Sequence, residues 1–155
     1  MTILFSLLLI ISIEASTPPK APPIQFLVTG QSISRRQHFF VFTRVNFKIV
    51  NKSKNTVVIY GLKRDGVFEP TGDVAEFNNE TNSWIYKTES KEPTQWRDLS
   101  DNRREEYALG PNQEIKFSEE YVNVTGKRLK RTAFVSLRKA ESPRKIETQA
   151  FDVHL

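Results

Sequence analysis

The chain has 155 residues with no cysteine, one methionine and two histidines, and its 23 Lys and Arg outnumber 18 Asp and Glu. Those counts exclude a disulfide-stapled scaffold, a cysteine nucleophile and a thiolate metal site. The net charge of +5 favours anionic partners in general and does not single out nucleic acid.

The first segment stands apart from the rest. Ile3 to Ile13 is apolar except for Ser6 and Ser12, and Glu14 and Ala15 follow it. As a helix this run would rise only about 16 Å, short of the roughly 30 Å hydrocarbon core of a bilayer. It therefore reads as the h-region of a secretory signal peptide, residues 1–15, cleaved after Ala15. No Lys or Arg precedes the run, which is unusual for such a signal, and a buried N-terminal strand is the alternative. Cleavage leaves 140 residues with a charge of +6 and no cysteine to take a lipid. The expectation is an exported protein, periplasmic or extracellular, without a membrane anchor. A domain of that size without disulfides has to rely on its core.

Residues 16–23 contain TPPKAPP, whose prolines fix an extended leader. The domain proper, residues 24–155, then runs strand after strand. Ile24 to Thr29 is short and apolar. FFVFTRVNFKIV, from Phe39 to Val50, alternates with a period of two and is the longest predicted strand. Its parity puts Val45, Phe47 and Ile49 on one face and Phe42, Arg44, Asn46 and Lys48 on the other. NKSKN makes a turn, and Thr56 to Leu62 returns as a strand. KRDGVFEPTGD reads as a loop broken at Asp65–Gly66 and Pro70. Val74 to Phe77 and Trp84 to Lys87 form a hairpin around NNETNS. Residues 88–112 are polar, with one helical turn capped by Ser100 or Asp101 and stopped by Gly110–Pro111. Glu114 to Glu119 is a short strand, and Lys130 to Lys139 with Lys145 to Val153 closes the chain as a hairpin.

Seven or eight strands with almost no helix predict an all-β protein built as an antiparallel two-sheet sandwich, with a closed barrel as the alternative. The stretches VNFKIVNKSKNTVVIYGL and LGPNQEIKF, followed by a closing strand pair, resemble immunoglobulin-like and fibronectin type III-like domains of secreted proteins. The pattern is also similar to bacterial proteinase-inhibitor domains of immunoglobulin-like fold. The resemblance spans residues 39–155, lacks the two-cysteine core of antibody domains and implies fold only.

Catalytic signatures are absent: there is no G-x-S-x-G, H-E-x-x-H, phosphate loop or G-x-G-x-x-G. No cofactor is implied, and His38 and His154 lie far apart in sequence with no third ligand spaced beside them. Glu105–Glu106, Glu119–Glu120 and the Asp98/Asp101 pair offer paired carboxylates, but adjacent residues on a strand, such as Glu119 and Glu120, point to opposite faces. GKRLKR, Gly126 to Arg131, is the strongest basic run and resembles a heparin-type cluster. As a strand it puts Lys127, Leu129 and Arg131 on one face and Arg128 and Lys130 on the other, as a solvated edge or a basic patch. Trp84 and Tyr86 share a face and read as core residues between the sheets, whereas Trp96 and Tyr107 are candidate exposed rings for a sugar or peptide.

These features predict a non-catalytic binding or assembly module whose partner is a protein or an anionic polysaccharide. The candidate ligand contacts are Trp96, Tyr107, Lys127, Arg128, Lys130 and Arg131. A proteinase inhibitor acting through a loop within residues 88–112 is the alternative. A small carbohydrate-active enzyme using the paired carboxylates is the third reading.

Overall fold

The computed structural model describes residues 22–88, 104–137 and 142–154. Residues 1–15, read as a signal peptide, most of the Pro-rich leader, Trp96 and the proposed helix caps Ser100 and Asp101 lie outside those residues. Eleven strands and no helix are found among the described residues. β1 (Ile24–Gln37) and β2 (Phe40–Asn51) form a long hairpin, β3 (Val57–Arg64) and β4 (Val67–Pro70) a second, and β5 (Val74–Asn78) and β6 (Ser83–Thr88) a third. β7 (Arg104–Leu109), β8 (Glu114–Val122), β9 (Arg128–Ser136), β10 (Arg144–Glu147) and β11 (Phe151–Asp152) complete the chain.

One sheet has three strands in the order β1-β2-β8. The other has eight, with the path β4-β3-β9-β5-β6, β7 added on β3, and β10 and β11 both on β9. Every pairing is antiparallel, and the sheets form a sandwich rather than a barrel. The inner face of the small sheet carries Phe26, Val45, Phe47, Ile49 and Phe117; the large sheet meets it with Val57, Ile59, Leu109, Ala133 and Val135. Phe47 is the hub. Its ring stacks on Phe117, its partner across the β2–β8 ladder, at 5.3 Å, touches Phe26 at 5.7 Å and meets Phe151 of the large sheet edge-on at 6.0 Å. Each fully buried ring of this kind contributes about 1.5–3 kcal/mol.

Four features differ from the sequence reading, each for a physical reason. β1 runs on to Gln37, although QSISRRQ has no apolar alternation, because its backbone stays paired with β2 through bulges after Val28 and Ile33. Asp65 and Gly66 both have positive φ, 49° and 82°, so DG is a two-residue hairpin turn and VFEP is strand β4 rather than loop. Arg104–Leu109 is a strand and not a helical turn: it pairs along β3 and buries Leu109 opposite Val57. The basic run is not an edge strand: Gly126 and Lys127 lie in the turn before β9, and β9 itself is central, flanked by β5 and β3 on one side and by β10 and β11 on the other.

Between β4 and β5 the chain crosses from β3 to β9. Thr71 N donates to Tyr60 O at 3.0 Å, and Thr132 N donates to Asp73 O at 2.9 Å. Gly72 sits at the crossing, where a Cβ would lie 2.0 Å from Thr132 O, so only glycine lets the backbones approach this closely.

Candidate functional site: the outer face of the three-stranded sheet

Since the alternate residues of β2 and β8 fill the core, the intervening ones form an outer ladder read directly from the register: Phe42–Val122, Arg44–Glu120, Asn46–Ser118 and Lys48–Lys116. Lys48 and Lys116 face each other, an arrangement that repels unless an anion stands between them. Glu114 supplies it, 3.2 Å from Lys48 Nζ and 3.1 Å from Lys116 Nζ. At the other end Glu120 is shared in the same way, 3.2 Å from Arg44 and 3.8 Å from Arg35.

Four cations against two carboxylates leave the face with two positive charges in excess. Hydrogen bonds from Lys116 and then Lys48 hold the Glu114 carboxyl below the ordinary glutamate range. A hydrogen bond from Ser34, with the nearby arginines, does the same for Glu120. Both acids are therefore ionised at neutral pH, and the cationic excess persists with them fully charged.

Between the two ion clusters lies an open depression of about 510 Å³, lined by Thr29, Asn46, Lys48, Lys116 and Ser118 among others. Ser118 Oγ donates to Asn46 Oδ1 at 2.7 Å, and Thr29 Oγ1, set by the first β1 bulge, donates to Asn46 O at 3.2 Å. The floor is thus polar and held in place by its own hydrogen bonds, with ammonium groups at its edge. Such a surface suits the carboxylate, sulfate or phosphate groups of a partner.

The residues singled out from the sequence do not converge. Lys127 pairs with Glu76 at 3.1 Å and Lys130 with Glu147 at 3.0 Å, while Arg128 is exposed at the start of β9. Arg131, expected at a ligand surface, is only 4% exposed and lies between the sheets. Its guanidinium holds Glu119 through Nε at 2.9 and 3.0 Å and Nη2 at 2.6 Å, and it donates to the carbonyls of Pro70 and Thr132. Burial would lower its pKa, but the Glu119 hydrogen bonds and charge outweigh that and raise it. Arg131 therefore links the sheets from a buried position. Glu119 points inward and Glu120 outward, as strand parity requires, so these two carboxylates cannot work on one substrate.

Tyr107 lies on β7 with its ring 5.2 Å from Phe68. Trp84 and Tyr86 share a face, but it is the outer face of the large sheet and not the core. Tyr86 is 51% exposed, and Lys130 Nζ lies 4.8 Å from the Trp84 ring centroid. They share that side with Ala75, Phe77 and Lys130, and the inward positions of β9 belong to Leu129 and Arg131. Among the described residues, no three His, Cys, Asp or Glu gather as metal ligands. The outer ladder was missed from sequence because Lys48 and Lys116 are 68 residues apart, and only the β2–β8 register brings them together. The one available signal was the parity that set Arg44, Asn46 and Lys48 on a single face.

No family model and no curated protein matches the chain. Among solved structures, the chain is similar to a Northeast Structural Genomics Consortium target, SoR45, with a TM-score of 0.57 and 9% identity over 86% of this chain and 87% of that one. It is also similar to a Bordetella pertussis protein given the name ApaA, with a TM-score of 0.52 and 8% identity over 85% and 95% of the two chains. Likeness at this identity concerns the all-β fold alone.

Proposed function

We propose that this protein is a non-catalytic, exported binding module that engages anionic partners through the outer face of the three-stranded sheet. The observation that carries the reading is the sharing of Glu114 and Glu120 by two cations each, beside an open polar depression. Clustered cations beside hydrogen-bonding groups raise the local concentration of an anionic polymer and speed its capture. The sandwich of antiparallel sheets also supports placing residues 39–155 with immunoglobulin-like domains.

Retention on immobilised heparin tests the reading. The expected outcome is salt-sensitive retention that falls strongly in Lys48→Glu/Lys116→Glu. Lys127→Glu/Arg128→Glu, which changes the net charge equally, should elute close to wild type. Equal losses in the two variants, or none in the first, would sink the proposal.

A further inference from the structure

The turn joining β1 to β2 consists of His38 and Phe39, and its exposure is extreme: Phe39 is 95% and Phe40 51% exposed. Val122, opposite Phe42 at the end of β8, is 45% exposed beside them. Asn123 is the last residue of the third strand's path to hold the hairpin, through Val41 N to Asn123 Oδ1 at 3.0 Å and Asn123 N to Val41 O at 2.9 Å. Among the described residues, only the two-stranded ribbon continues beyond Val41. Two further residues at roughly 3.3 Å each carry Phe39 about 7 Å past that clamp.

The apolar tip is backed by positive charge. The Arg35 guanidinium lies 4.0 Å above the Phe42 ring and shares Glu120 with Arg44. Arg36, opposite Val41, makes no ion pair among the described residues. No Asp or Glu occurs in the sequence between Glu14 and Asp65, and among the described residues Glu120 of β8 is the acid paired with this end of the face.

We infer that the β1–β2 hairpin tip docks peripherally on an anionic lipid surface, with Phe39 and Phe40 entering the boundary between headgroups and acyl chains. This rests on the cationic face proposed above and names its partner. The tip projects past the clamp with both rings exposed, and an interface that accepts a wedge suits them. Its reach of about 7 Å matches the roughly 5–10 Å depth at which interfacial apolar groups settle. Arginines set just behind the rings would stand at headgroup level, where their apolar stems follow the rings and their charges meet phosphate.

The absence of cysteine allows a direct test in the full chain. An environment-sensitive label on Gln37→Cys reports on the tip, and one on Lys54→Cys, in the turn at the other end of β2, serves as control. Vesicles of phosphatidylcholine with and without phosphatidylglycerol carry an acyl-chain quencher. The expected result is quenching at position 37 that requires the anionic lipid, little at position 54, and at least about a tenfold weaker vesicle affinity on adding Phe39→Ser/Phe40→Ser.

Quenching at position 54 equal to that at 37, insensitivity to the serine substitutions, or no quenching at all would overturn the inference. A tip label that ignores vesicles but is shielded by a soluble protein partner would also overturn it, in favour of an apolar pocket on that partner. Loss of heparin retention in Lys48→Glu/Lys116→Glu together with an unquenched tip would leave the cationic face standing and remove only the lipid assignment.

Discussion

Asn51 shows how much one residue can decide. In the sequence it is the first residue of a turn and of an N-x-S motif. In the fold it is fully buried. Its Nδ2 donates to Asn55 O, Leu109 O and Gly110 O at 2.8, 2.9 and 3.1 Å, and its Oδ1 accepts from Ser53 N and Oγ at 2.9 and 2.6 Å. One amide thus ties the turn after β2 to the end of β7, and its burial keeps a glycan from being accommodated there. Asn51→Ala would leave several of these groups unpaired, each costing about 1–3 kcal/mol. A loss of at least about 2 kcal/mol is expected in urea unfolding, and a change below about 0.5 kcal/mol would contradict the account.

At the scale of elements, the contact between β8 and β9 sets the sheets in place where the apolar core gives way to charge. Arg131 of β9 holds Glu119 of β8, and Tyr121 OH donates to Glu119 Oε2 at 2.5 Å. Burial first, and the Glu119 carboxylate second, push the Tyr121 hydroxyl far above its usual range, so it stays a donor. Removing one member strands a charge between the sheets, and Arg131→Met alone should cost about 3–5 kcal/mol. Arg131→Met/Glu119→Met should cost much less than the two single losses combined. Additive losses across that double-mutant cycle would show that the groups are not coupled. Strand parity in GKRLKR correctly put Leu129 and Arg131 on one face. It could not say that this face was interior, because Glu119 reaches Arg131 only through sheet packing.

For the whole molecule, the two shared carboxylates link stability and binding to pH with opposite signs. Glu114 and Glu120 are both held below the ordinary value of 4.5 in the fold. A depressed carboxyl pKa contributes stability that is complete above the unfolded value and is lost as pH falls through the folded one. Thermal stability should therefore decline below about pH 4.5. Over the same window, protonation removes the negative charges from the face, so retention on heparin, whose sulfates stay ionised, should strengthen. Glu114→Gln/Glu120→Gln should bind more tightly at neutral pH and flatten both responses. Unchanged pH profiles in that variant would remove these two groups as the cause.

The sequence by itself determined the all-β class, the β5–β6 and β9–β10 hairpins and the half-buried character of β2, because period-two alternation and turn chemistry act locally. It misread VFEP and REEYAL, whose strand character comes from pairing with β3 rather than from their own pattern. Only the tertiary structure decided which face of each strand was inside. It took Arg131 into the core, turned Trp84 and Tyr86 outward and set Lys48 against Lys116. Parity groups residues by face without telling inside from outside. That choice belongs to the second sheet, whose position depends on contacts between residues far apart in the chain.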